Sequence, residues 1–160
     1  MKLTMKDTPW AKEILEEAAD LMNEAGVHWW LECGVLLGIY REGKLIDHDD
    51  QDIDFTVLEP ADHYAIKRVF ESQNYTLFAE GPHQLVMKKR DVLVDISFYA
   101  LEDNDLVMRI EGAGRAVQPY SLFNPLGEVE FNGRTYPTTN DIEAYLVQRY
   151  EDWQPSQQGI

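Results

Sequence analysis

Aspartate is the residue type in this chain most able to do chemistry: five of the eight residues from Asp47 to Asp54 (DHDDQDID) carry it. Carboxylates packed this closely repel one another unless a cation sits among them, and a divalent metal is the usual one. The plain alternative is a solvated acidic loop. Residues 52–58, DIDFTVL, alternate and then turn apolar with β-branched and aromatic side chains, which predicts a strand. On a strand Asp52 and Asp54 project from one face, roughly 7 Å apart, with Ile53 and Phe55 on the other. Two carboxylates so placed can share one or two Mg²⁺ ions that also hold substrate phosphates.

A third carboxylate is available downstream. In VLVDISFY (92–99), Val92, Val94, Ile96 and Phe98 share one face, and Asp95 sits with Leu93, Ser97 and Tyr99 on the other. An aspartate on so apolar a strand is costly to bury without a partner, so Asp95 is a candidate third ligand. Arg41 offers planar, bidentate contact to a phosphate. Lys88, Lys89 and Arg90 form the best basic cluster; Lys88 reads either as a donor-phosphate contact or as part of a solvated strand end.

Other motifs carry less. Asp50 reads as a loop charge, a ligand or a support for one. An EF-hand is excluded, because its sixth position would be Phe55 and its twelfth Ala61 rather than Gly and Glu. His48-Asp49 lacks the helical surroundings of an HD phosphohydrolase, and the single GxG at 112–114 is too weak to make a phosphate loop. Cys33 has no evident partner for nucleophilic catalysis and reads as a small buried residue.

The elements that would hold these residues are legible in outline. Residues 8–25 form an amphipathic helix, with Thr8 as N-cap, Pro9 in the first turn, an apolar face from Ile14 to Ala25, and Gly26 just past the end. Residues 27–33 read as a strand feeding a glycine turn at Gly34, and 35–42 as a short helix. A helix from Asp62 to about Gln73 follows, then strands over 75–79, 84–89, 92–99 and 106–110, with 112–116 as a flexible loop. Asn132-Gly133 turns a hairpin over 129–136. Asn140, with Glu143 three residues on, opens a last helix through DIEAYLVQRYEDW. Trp29, Trp30 and Tyr40 read as core.

Composition bounds the rest. The 160 residues are enough for one domain with a proper core, and a hydrophobic share of 44% fits a folded globular protein. A net charge of −15 argues against nonspecific contact with nucleic acid or anionic membrane. No stretch reaches the length of a membrane span and no signal-peptide apolar region opens the chain, so the expectation is a cytoplasmic protein of one α+β domain over 1–160. The oligomeric state is not legible.

Taken in order, Gly34-Val35-Leu36-Leu37-Gly38, Arg41, a glycine with an apolar residue, and D-x-D-x-D at Asp50, Asp52 and Asp54 resemble the LicD/fukutin family of the polymerase-β-like nucleotidyltransferase superfamily. Asp95 is similar to that superfamily's third carboxylate, and residues 125–153 resemble the family's closing hairpin, proline and R-Y-x-x-W helix. The resemblance implies a nucleotidyltransferase-like mixed β-sheet flanked by helices. It places Gly34, Val35 and Gly38 near donor phosphates with Arg41, and gives Asp52, Asp54 and Asp95 as catalytic ligands of Mg²⁺, or of Mn²⁺ in its place. It also implies a donor and an acceptor as partners: members move a phospho-alcohol, such as phosphocholine or ribitol phosphate, from a CDP-linked donor to a glycan hydroxyl. Wider relatives transfer a nucleoside monophosphate instead. Val35 stands where members usually carry Ser, Gly or Thr, so a side-chain phosphate contact is lost while the backbone N–H remains.

Overall fold

The computed structural model describes residues 10–43, 45, 52–110, 112 and 114–150. Four helices flank a mixed sheet in an α+β arrangement, and the expected single-domain class holds. The first helix, α1 (Ala11–Ala25), buries Ile14, Leu15, Ala18, Leu21 and Met22 and stops at Gly26, whose φ of 73 is the left-handed cap that glycine adopts freely. Thr8 and Pro9, expected to open it, lie outside the described residues.

The sheet runs β1 (Trp29–Leu31), β2 (Asp52–Leu58), β5 (Val92–Glu102), β4 (Gln84–Lys89), β3 (Thr76–Gly81), with β6 (Asp105–Ile110) and β7 (Gly114–Pro119) continuing from the far end of β5. Among the described residues only the central β2–β5 pair is parallel; the other pairs are antiparallel. The expected loop over 112–116 is in part β7, a strand that pairs with β6 from Ile110↔Gly114 to Asp105↔Pro119. Its sequence, GRAVQP, lacks the alternation that marks a strand. Pairing with β6 supplies what the pattern does not.

One face of the sheet carries Ile53, Phe55, Val94, Ile96 and Phe98, all buried. On this side lie α1 and α3 (His63–Ser72), which pack on each other. Asp62 caps α3 by accepting from the Ala65 N–H at 3.0 Å. The basic run at the end of β4 divides here: Lys89 binds Glu17 at 2.8 Å and Arg90 lies 3.5 Å from Glu13, so both fasten α1 to the sheet.

The other face holds the carboxylates. The hairpin β8 (Gly127–Phe131) and β9 (Arg134–Thr138) turns at Asn132-Gly133, both with positive φ as an Asn-Gly hairpin requires. It docks through Thr138 Oγ1, which donates to the Leu31 carbonyl at 2.8 Å. The last helix, α4 (Ile142–Arg149), begins one residue later than expected: Asp141 caps it, accepting from the Ala144 N–H at 3.1 Å. Asn140 instead donates to the carbonyls of Ser121 and Pro125, and so anchors the approach to the helix. Residues 151–153 lie outside the described residues.

Candidate active site

Alternation along β2 leaves Asp52 and Asp54 half-buried on one face while Ile53 and Phe55 go to the core. The parallel register sets Asp54 beside Asp95 and Asp52 beside Leu93. Neighbouring strands lie about 4.8 Å apart, so two carboxylates on one strand meet a third across the pair. One oxygen from each of Asp52, Asp54 and Asp95 falls within 4.8 Å of the others. Three hard oxygen donors at this spacing suit a hard divalent cation, which needs carboxylate oxygens and relieves their repulsion. Asp95 is further held by Gln84, whose Nε2 donates to Oδ1 at 3.0 Å and to Oδ2 at 3.2 Å. Asp47, His48, Asp49 and Asp50 lie outside the described residues.

Beside this cluster stands the start of α2 (Cys33–Glu42). The sequence predicts a strand to residue 33 and a glycine turn; in the structure β1 stops at Leu31 and the helix already begins at Cys33, whose φ of 58 makes the sharp bend. Gly34 is therefore in the first helical turn rather than in a preceding turn. The Glu32 N–H donates to the Asp54 carbonyl at 3.4 Å, which ties the helix start to the site. Glu32 precedes the helix without capping it. Its buried carboxylate accepts instead from Trp30 Nε1 at 2.8 Å and from Gln118 Nε2 at 3.0 Å. The Cys33 N–H donates to the Tyr145 hydroxyl oxygen at 2.9 Å. The following N–H groups, of Gly34 and Val35, belong to the first turn, where backbone donors lack helical acceptors.

The other expected contacts separate. The Val35 side chain is buried in the core, so only its backbone can face a ligand, and Gly38 is buried in mid-helix. Arg41 sits in the last turn, about 12 Å along the axis from Cys33. Lys88 lies on the carboxylate face, opposite Leu93 and hence two strands, about 10 Å, from Asp52. Its Nζ stands 5.9 Å from the centre of the Phe78 ring. Trp29 and Trp30 are core as expected, but Tyr40 is exposed and donates to Glu143 Oε2 at 2.9 Å.

A cation that the sequence leaves in the background comes forward. Arg149, at the end of α4, donates from Nη2 to Cys33 Sγ at 3.3 Å and so reaches the start of α2. Burial works against its charge, but Cys33, Tyr145, Tyr99 and Glu32 together hold its pKa above the ordinary arginine value. Burial, above all, pushes the Cys33 thiol up to about 12, with Asp54 and Glu32 adding to it. The Tyr150 hydroxyl is raised first by burial, and Asp54 also contributes. The only sequence signal for Arg149 is the R-Y pair of the closing helix, whose default reading is packing. Gln84, Glu32 and Gln118 are also missed; Gln84 becomes visible only once the β4–β5 register is known.

The fold is that of nucleotidyltransferases. The structure resembles the lincosamide antibiotic adenylyltransferase LnuA bound to lincomycin, with a TM-score of 0.58 and 19% identity over 87% of this chain and 85% of that one. It resembles ANT(2")-Ia in complex with adenylyl-2"-tobramycin at a TM-score of 0.59 and 16% identity, over 86% and 72% of the two chains. Residues 26–141 match the family described as LicD/FKTN/FKRP, nucleotidyltransferase domain, and the chain belongs to that family. It is an enzyme of the transferase class. A search of curated protein sequences gives no significant match.

Proposed function

We propose that the protein moves a phospho-alcohol, of the phosphocholine or ribitol phosphate type, from a CDP-activated donor to a hydroxyl acceptor such as a glycan. The observation that carries this reading is the convergence of Asp52, Asp54 and Asp95 beside the first turn of α2 in a member of the LicD family. In this reading the three carboxylates hold Mg²⁺, or Mn²⁺ in its place. When bound, that ion supplies positive charge against the phosphate oxygens and the charge that develops on them.

The chain's own groups do the rest. The Gly34 and Val35 N–H groups, at the positive end of the helix dipole, orient a donor phosphate. Arg149 offers the same phosphate a planar donor fork. Asp95 takes the acceptor proton, directly or through water. The acceptor oxygen forms a bond to the distal phosphorus as the bridging P–O bond breaks, and CMP leaves with the electron pair. Little covalent work is asked of the protein, since positioning and charge supply most of the rate in such transfers.

A second reading rests on the structural neighbours, which are named as adenylyltransferases or hold an adenylylated product: attack on the α-phosphorus of an NTP, with release of pyrophosphate. Incubation with Mg²⁺ and a panel of CDP-choline, CDP-ribitol and the four NTPs separates the two. CMP release supports phospho-alcohol transfer, and pyrophosphate release replaces it with nucleotidyl transfer. Asp52→Asn is expected to abolish turnover with an unchanged circular dichroism spectrum; full activity in that variant would overturn both readings.

A further inference from the structure

The β3–β4 turn and the end of β6 face each other across a cavity of about 450 Å³, walled by Gly81–Gln84 on one side and Met108–Ile110 on the other. That volume lies in the range of roughly 300–1,000 Å³ typical of small-ligand sites. Register fixes which way the walls face. Val86 opposes Asp95, so Gln84, two residues earlier on the same strand, lies on the carboxylate face. Leu106 opposes Leu101, so Met108 and Ile110 share the face of Leu101, Tyr99 and Asp95. The cavity therefore opens on the same side of the sheet as the carboxylate cluster, and Gln84 belongs to both: it lines the cavity and its amide holds the two oxygens of Asp95.

The lining says what fits. Pro82, the half-buried Met108 and Ile110, which is 41% exposed, supply apolar surface to the cavity. Arg109, also at the rim, shares Glu102 with Arg115, at 3.1 and 3.9 Å. An apolar wall with a few polar groups at one end suits a neutral molecule that has a hydrophobic body and a hydroxyl. The Gln84 amide also carries a carbonyl oxygen able to accept from such a hydroxyl.

We propose that this cavity seats the acceptor of the reaction above, a neutral alcohol with an apolar body, and that Gln84 is the positioning residue that aims Asp95 at its hydroxyl. The inference rests on the transferase reading and adds to it the chemical class of the acceptor. Group transfer places the acceptor hydroxyl against the carboxylate that takes its proton, and among the described residues this cavity shares a wall residue with that carboxylate.

Two glycosides that differ in a single apolar ring test it: phenyl β-D-galactoside and methyl β-D-galactoside, titrated into isotopically labelled protein with Mg²⁺ and CDP present. The phenyl compound is expected to bind at least tenfold more tightly and to shift the amides of Gly81, Gln84, Met108 and Ile110. Met108→Glu is expected to remove that preference while the calorimetric affinity for CDP with Mg²⁺ stays within twofold. Equal affinities, or a preference that survives Met108→Glu, would overturn the cavity. For Gln84 the readout is metal affinity, since groups that orient a ligand typically alter it by about 10–100-fold. Gln84→Leu is expected to weaken Mn²⁺ binding at least tenfold by electron paramagnetic resonance, with Met108→Glu unchanged, and an unaltered Mn²⁺ affinity in Gln84→Leu would overturn its role. If no nucleotide binds but the phenyl glycoside still shifts the cavity amides, the donor reading falls and the cavity stands. If CDP binds and the glycosides are equivalent, the cavity falls and the donor reading stands.

Discussion

Cys33 is where the chemistry of single residues is most constrained. Its φ of 58 is in the left-handed region, which costs a non-glycine residue on the order of 1 kcal/mol, and the conformation is held by the Tyr145 hydroxyl on its N–H and by Arg149 on its sulfur. A thiol so placed beside an arginine invites a nucleophilic reading, but burial outweighs the cation and raises its pKa from 9.0 to about 12. At pH 8 the thiolate fraction is then about a thousandfold below that of an unperturbed thiol. In EDTA, iodoacetamide is expected to modify Cys33 of the native protein at least a hundredfold more slowly than it modifies the urea-unfolded chain. Comparable rates would mean that the thiol's pKa is not raised in the folded protein. The same shift carries a sign for stability. The folded state holds the proton more tightly than the unfolded one, so the contribution is intact below about pH 9 and is lost as pH rises toward about 12. Tyr99, raised from 10.0 to about 12 chiefly by burial, acts in the same direction. Urea midpoints are therefore expected to fall between pH 8.5 and 11, and Cys33→Ser is expected to flatten the slope.

At the scale of elements, Gly127 shows how closely the hairpin must approach the segment that leads into α4. A Cβ at this position would meet the Thr139 carbonyl oxygen at 2.5 Å and the Asn140 Cα at 2.9 Å, both backbone atoms that cannot swing away. Gly127→Ala is expected to cost about 1–3 kcal/mol, in the manner of overpacking. A melting shift below 1 °C would show that the segment yields freely. These same elements mark where sequence patterns inform and where they stop. The strands β2 and β5 announce themselves because one face is core and the other is largely not, which imposes alternation on the residues. For β7 no such pressure exists: Gly114, Arg115 and Val117 are exposed, and the strand exists because β6 offers it an edge. The sequence pattern puts the start of α2 two residues late because no polar cap marks it. Glu32, at the N-cap, spends its carboxylate on Trp30 and Gln118 instead.

At the scale of the whole molecule, the site depends on one long-range fact, the parallel pairing of β2 with β5, which brings Asp54 beside Asp95 across forty residues of chain. Local pattern gave each carboxylate a face, but only the strand order gave the two faces a common address. That is why the carboxylates are legible singly, while Gln84 and Arg149, contributed by β4 and α4, are not. The cost of the arrangement is electrostatic, since three carboxylates crowd together in a chain that already carries a net charge of −15. A cation bound only by the folded state repays this through linkage, by about 2.7 kcal/mol at a hundredfold excess over its dissociation constant. For a chain of this length that is a rise of about 5–10 °C in melting temperature. Any salt screens the general repulsion, so the informative comparison is MgCl₂ against NaCl at equal ionic strength. The wild type is expected to gain several degrees specifically from MgCl₂, and Asp54→Asn to gain no more from MgCl₂ than from NaCl. Equal gains from the two salts in the wild type would show that the acidic cluster is a screened surface rather than a metal site.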